Sequence, residues 1–138
     1  MTVLLDTSVL LTAYLGKERR HDDATRLLMT IGTGSEGRVV LCDHVVVEAL
    51  NFLNGRFGRR DVAEDIGALY FGARSETGWD RLHTSPGTLD QAYALHLRYH
   101  DQRLSLTDCV LIAHAQNLNA KVATFDTAFD GIIPIVDA

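Results

Sequence analysis

The sequence predicts an α/β domain built on a parallel sheet, and two observations carry that reading. Short continuous apolar runs, Val3-Leu4-Leu5 and Val39-Val40-Leu41-Cys42, have the length and composition of strands buried on both faces. Between and after them, apolar residues recur at helical spacing. Strands that alternate with helices belong to a parallel sheet wrapped by helices on both faces.

The elements follow in order. After the first strand, Ser8 to Leu15 reads as a short helix that stops at Gly16. Residues 22–31 place Ala24, Leu27, Leu28 and Ile31 on one helical face, and the Gly-Thr-Gly-Ser-Glu-Gly cluster at 32–37 is a turn. The second strand leads to Asp43, a candidate cap for a helix that runs to about Phe57. A further helix is expected from Arg59 to Glu76, with Val62, Ile66, Leu69 and Tyr70 inward and Gly78 after its end. Asp80 to Thr84 reads as a short third strand. Pro86 to His100 is helical, with proline in the first turn. Leu106 to Leu118 is helical too, preceded by Ser105 and followed by Asn119, a candidate left-handed cap. Val122 to Phe125 and Ile132 to Val136 complete five strands, with Pro134 confining the last to an edge.

A chain of 138 residues fits one domain, and no repeat, linker or low-complexity segment divides residues 1–138. Its longest apolar runs are too short to cross a bilayer, and residues 1–5 lack the features of a signal peptide. Cys42 and Cys109 each lie in apolar sequence, as buried thiols do in a reducing compartment, so a cytoplasmic location is expected. The formal net charge of −5 argues against a passive basic platform for nucleic acid. It leaves open an enzyme that neutralises its own acids with bound cations.

Four acids stand in informative places. Asp6 directly follows the first strand and Asp126 follows the fourth, and ligands of open α/β sheets bind beyond the carboxyl ends of strands. Taken singly, an acid after a strand is most often a helix cap or turn former. Glu48 interrupts the apolar stretch Val45-Val46-Val47 and Ala49-Leu50, where a buried charge needs a partner. It also falls on a narrow polar stripe with His44, Asn51 and Gly55, which would simply expose it. Ser105 and Asp108 have capping-box spacing, and an acid in the first helical turn also meets the positive end of the helix dipole.

Taken together, the segments Leu4-Leu5-Asp6-Thr7-Ser8-Val9, Val46-Val47-Glu48-Ala49-Leu50-Asn51, Ser105 to Ala113 and Ala123-Thr124-Phe125-Asp126-Thr127-Ala128-Phe129 resemble the PIN-domain family, in particular the VapC-type toxin ribonucleases. The resemblance spans nearly the whole chain. It implies an α/β/α sandwich on a five-stranded parallel sheet, with an acidic pocket that holds Mg²⁺ or Mn²⁺. Asp6, Glu48, Asp108 and Asp126 match the family's four acids, as catalytic residues and metal ligands. Thr7, Ser105 and Thr124 match polar positions beside them, expected to contact substrate. Asp130 is the nearest candidate for a further acid and is not assigned.

The implied activity is hydrolysis of RNA phosphodiester bonds, leaving a 5′-phosphate and a 3′-hydroxyl, by the toxin of a toxin–antitoxin pair. Asp6 and Asp108 would be the principal ligands, with Glu48 and Asp126 completing the shell or orienting water. The implied partners are RNA, an antitoxin protein and a second copy of the chain, the homodimer using apolar helix faces between residues 22 and 77. The alternatives are a housekeeping PIN nuclease for RNA or DNA and a non-catalytic PIN-like scaffold. Lys17-Glu18-Arg19-Arg20, and Arg56 with Arg59-Arg60, could meet substrate phosphates, although such clusters are commonly just solvated surface. His96 and His100 have zinc-compatible spacing but no accompanying HExxH pattern. Serine at position 8 stands where a haloacid-dehalogenase-like phosphatase would need a second acid.

Overall fold

A computed structural model describes residues 1–16, 20–71 and 79–136. Its sheet has four parallel strands, β1 (Thr2–Leu5), β2 (Arg38–Cys42), β3 (Asp80–Leu82) and β4 (Lys121–Ala123), in the order β3-β2-β1-β4. Val3, Leu4 and Leu5 are all fully buried, which is why the central strand β1 reads as an unbroken apolar run. Gly37 adopts φ of 109°, and a side chain there would collide with the Met1 carbonyl at 2.2 Å. This close approach sets the start of β2 against β1, where Arg38 N–H donates to Met1 O at 3.0 Å.

The helices are α1 (Thr7–Tyr14), α2 (His21–Gly32), α3 (Asp43–Asn51), α4 (Arg60–Phe71), α5 (Pro86–Arg98) and α6 (Leu106–Leu118). In α6 every residue from Cys109 to Ala115 is buried, so the helix lies inside the molecule and its outer turns carry the polarity. Asn119 takes the left-handed conformation expected of it, φ 51° and ψ 48°. The helix expected to reach Glu76 is described as far as Phe71; residues 72–76, with Gly78, lie outside the described residues.

Three expectations are corrected. The fifth strand shrinks to a single parallel bridge, Val122 with Ile135, flanked by Val122 N–H to Pro134 O and Val136 N–H to Val122 O, both 3.0 Å. Proline at 134 lacks the N–H that would carry a longer ladder. The helix predicted through Phe57 ends at Asn51 and continues as a π turn over Phe52–Arg56, closed by Phe57 N–H to Phe52 O at 3.0 Å. Asp43 does not cap α3; it is its first residue, and both its oxygens also serve Thr84 beyond β3.

Candidate active site

The chain runs β1, β2, β3 to one side of the sheet and then returns to place β4 on the other side of β1. A crevice opens at such a reversal, beyond the carboxyl ends of the strands. Asp6 sits at that point, its N–H extending the ladder to Ala123 O at 3.0 Å. Its side chain is only 3% exposed. Thr124 Oγ1 donates to Asp6 Oδ2 at 2.7 Å, and Ser8 Oγ donates to the same oxygen at 2.8 Å. Thr124 Oγ1 in turn accepts from Asp126 N–H at 2.9 Å, and Ser8 Oγ accepts from Phe125 N–H at 3.3 Å. Two hydroxyls thereby lock the loop after β4 onto the acid after β1.

Asp126 accepts from Ala128 N–H at 2.9 Å through Oδ1, capping the short 3-10 turn Thr127–Phe129. Asp108 completes the capping box of α6: Ser105 N–H donates to its Oδ2 at 2.9 Å, and its own N–H donates to Ser105 Oγ at 3.1 Å. Asp6, Asp108 and Asp126 thus share a design. Each commits a carboxylate oxygen to fixing the chain around the site, Asp6 through Ser8 and Thr124, Asp108 through Ser105 and Asp126 through Ala128.

The electrostatics bring the acids together. Burial pushes the Asp6 carboxyl up from its ordinary value against the pull of the Thr124 and Ser8 hydroxyls, and the charge of Asp126 pushes the same way. Burial also pushes Asp108 up to about 6, opposed by the Ser105 N–H and reinforced by the charges of Asp6 and Glu48. Asp6 therefore feels Asp126, and Asp108 feels both Asp6 and Glu48. Among the described residues no lysine or arginine pairs with any of the four.

Glu48 projects half-buried from α3 into a groove of about 430 Å³ that it shares with His44, Val47, Asn51, Phe52, Arg56 and Thr107. The π turn carries Phe52 and Arg56 to this groove, and Thr107 belongs to the first turn of α6 beside Asp108. The polar stripe of α3 therefore does face outward, but into a groove rather than open solvent. A smaller pocket of about 220 Å³ adjoins Thr124 and Asp126, where the Arg20 guanidinium lies 3.9 Å from the centre of the Phe125 ring. Of the basic cluster at 17–20, Lys17, Glu18 and Arg19 lie outside the described residues.

Thr7 follows Asp6 with its Oγ1 buried and unbonded, an orphaned polar atom beside the acids. Ser105 acts through its cap to Asp108, and Thr124 through Asp6. Ser8 was not among the polar positions expected here, although a hydroxyl two residues after an acid is a local signal that could have marked it. An all-oxygen set of carboxylates without protein counter-charges fits a hard divalent cation such as Mg²⁺ or Mn²⁺, which prefers oxygen ligands.

The family model for the PIN domain matches residues 3–132. The chain belongs to the PIN-domain family. Its fold is also that of solved PIN-domain toxins. VapC20 of Mycobacterium tuberculosis, described as a sarcin–ricin loop cleaving toxin, superposes with a TM-score of 0.79 at 23% identity, covering 92% of each chain. VapBC2 of Rickettsia felis, bound to a DNA fragment from its promoter, gives 0.70 at 14% identity over 99% of this chain and 98% of that one. A toxin–antitoxin complex from Klebsiella pneumoniae gives 0.64 at 18% identity over 98% and 96%. No curated protein sequence matches the chain. Family and fold together support a nuclease, and no described helix is long and apolar enough to cross a membrane.

Proposed function

We propose that this PIN-domain chain is a metal-dependent endoribonuclease and the toxin of a toxin–antitoxin pair. The observation that carries the reading is the concentration of acid without protein counter-charge. Asp6 and Asp108 have carboxyls pushed upward by burial and by neighbouring acids, and none of the four acids has a cationic partner among the described residues. Such a pocket is costly unless a cation completes it.

In this reading Asp6, Glu48, Asp108 and Asp126 hold Mg²⁺ or Mn²⁺, with Asp6 and Asp108 the principal ligands. The ion, when bound, would bind the scissile phosphate and lower the pKa of an attacking water. The chain's own contribution is placement. Ser8 and Thr124 fix the orientation of Asp6, and Ser105 fixes Asp108 at the start of α6, where the positive helix end favours a phosphate. Thr7, Ser105 and Thr124 stand beside the substrate. The groove along Glu48, lined by apolar Val47 and Phe52, suits an antitoxin segment that sets a basic side chain against the acids. A homodimer through helix faces between residues 22 and 77 follows from the same family resemblance, and action in the cytoplasm follows from Cys42 and Cys109 standing in apolar sequence.

The test is cleavage of single-stranded RNA by the purified chain. Cleavage with Mg²⁺ or Mn²⁺ that stops in EDTA and falls by two orders of magnitude, about 3 kcal/mol, in Asp6→Asn and Asp108→Asn is the expected result. Undiminished cleavage in EDTA or by both variants would overturn the reading.

A further inference from the structure

A second polar cluster lies at the end of β2, outside the four acids. The ligand-type atoms of Cys42, Asp43 and His114 all fall within 4.8 Å of one another. Thr84 Oγ1 occupies the middle of this cluster, 2.6 Å from Asp43 Oδ1, 2.9 Å from His114 Nε2 and 3.9 Å from Cys42 Sγ. The hydroxyl stands where an ion would have to stand, and hydrogen bonds alone account for the group. Burial pushes the Cys42 thiol up to about 12, so it stays protonated and donates weakly to Asp43. Burial likewise lowers the His114 pKa, which keeps its ring neutral.

The protons of this chain can be assigned in order. Asp43 is the acceptor: burial alone would push its carboxyl up, but donors from Thr84, His44 and Cys42 hold it well below the usual carboxylate range. Thr84 Oγ1 gives its single proton to Asp43, so it accepts from His114 Nε2–H. His44 Nδ1 lies 2.9 Å from Asp43 Oδ1 and must be the protonated nitrogen. The relay His114 to Thr84 to Asp43 thereby fixes both the orientation and the tautomer of the His44 ring. His44 Nε2 has no partner among the described residues, and the ring, 37% exposed, lines the groove with Glu48 and Thr107.

We propose that His44 is a substrate-contacting residue whose Nε2 pairs with a ribose 2′-hydroxyl of RNA lying in this groove, with Asp43 as its positioning residue. The inference rests on the nuclease reading of the groove. A neutral ring with Nδ1–H on Asp43 presents a lone pair at Nε2, whereas a charged ring presents a proton. A phosphate oxygen can pair with the second form alone. The 2′-hydroxyl is both donor and acceptor and meets either form, and it is the group that separates RNA from DNA. The position of His44, one helical turn before Glu48, puts this contact beside the reacting bond rather than at a remote surface.

The test is binding, so that it does not depend on turnover. Fluorescence anisotropy compares a single-stranded RNA with the all-deoxy strand of the same sequence on Asp108→Asn protein, and then on Asp108→Asn carrying His44→Phe or His44→Gln. Asp108→Asn is expected to bind RNA roughly three- to tenfold tighter than DNA, the worth of about one hydrogen bond. His44→Phe should erase that gap while leaving DNA binding in place, and thermal melts verify that each variant is folded. His44→Gln, which loses the link to Asp43, should narrow it. A missing RNA preference, or one unchanged by both substitutions, overturns the proposal. Wild-type protein that binds RNA with this preference yet fails to cleave it with Mn²⁺ would instead count against the nuclease reading.

Discussion

Thr124 and Asp6 are 118 residues apart in sequence, and the Thr124 hydroxyl donates to the Asp6 carboxylate at 2.7 Å across the β1–β4 pair. The same Thr124 oxygen accepts from the N–H of Asp126 at 2.9 Å. One hydroxyl therefore sets the spacing of two of the four acids. It also offsets part of the desolvation of a carboxylate that is 3% exposed. Thr124→Val keeps the shape and removes the hydroxyl, leaving Asp6 with one side-chain donor fewer. The expected loss is about 1–3 kcal/mol of unfolding free energy at neutral pH in EDTA, with Thr124→Ser close to wild type. Denaturant titrations of the three proteins check this, and a Thr124→Val protein as stable as wild type would remove Thr124 from the site.

The acids should make the metal-free protein more stable as the pH falls toward 5. Asp108 has a folded pKa raised to about 6 against an unfolded value near 3.8, and Asp6 is raised as well. Between those limits the folded state binds more protons than the unfolded chain, so stability falls as the pH rises through about 6 and returns as it drops. His114 acts oppositely, because its lowered pKa makes the folded state refuse a proton that the unfolded chain accepts below about 6.5. Asp43, held low, contributes stability that is lost only at more acidic pH. The clean measurement is a difference: thermal melts in EDTA from pH 7.5 to 5 for wild type and Asp108→Asn. The wild type should gain relative to the variant as the pH falls, by no more than about 1 kcal/mol because solvent screens this half-buried carboxylate. Parallel curves would mean that the Asp108 carboxyl is not raised in the folded protein.

Local chemistry made part of this site legible. The Ser105–Asp108 box, the start and end of α6 and the left-handed Asn119 depend on residues three or four apart, and the structure has them as read. The strand-end positions of Asp6 and Asp126 were equally visible, but their meeting required β4 to pair with β1, a long-range fact carried by the family resemblance. Asp43 looked like a helix cap because the preference for aspartate at that position is local. Its real partner, Thr84, lies 41 residues away, and no periodicity points to it. The end of the chain misleads, since Ile132, Ile133, Ile135 and Val136 have strand composition while Pro134 denies them a ladder. Ser8 reads as the start of the first helix and as part of the first family segment, and neither reading carries its hydrogen bond to Asp6.

Asp126 adds to the upward push on Asp6 and uses only one oxygen to cap Ala128. Asparagine keeps that acceptor and removes the charge. Asp126→Asn is therefore expected to melt higher than wild type in EDTA, by a degree or more, while losing activity. Added Mn²⁺ should raise the melting temperature of the wild type more than that of the variant, by mass action on the folded state. A variant that melts lower in EDTA, in a wild type indifferent to Mn²⁺, would reduce Asp126 to a structural cap.

If four acids from four parts of the chain form one cation site, calorimetric titration of Mn²⁺ reads that site itself. Wild type at pH 7 should bind Mn²⁺ saturably, and near pH 6, where Asp108 is partly protonated, binding should release protons and weaken. Asp6→Asn, Glu48→Gln, Asp108→Asn and Asp126→Asn should each lower the affinity, with the largest losses at Asp6 and Asp108. Absence of saturable binding to the folded wild type, or affinities unchanged across all four variants, would mean that these acids do not form a cation site.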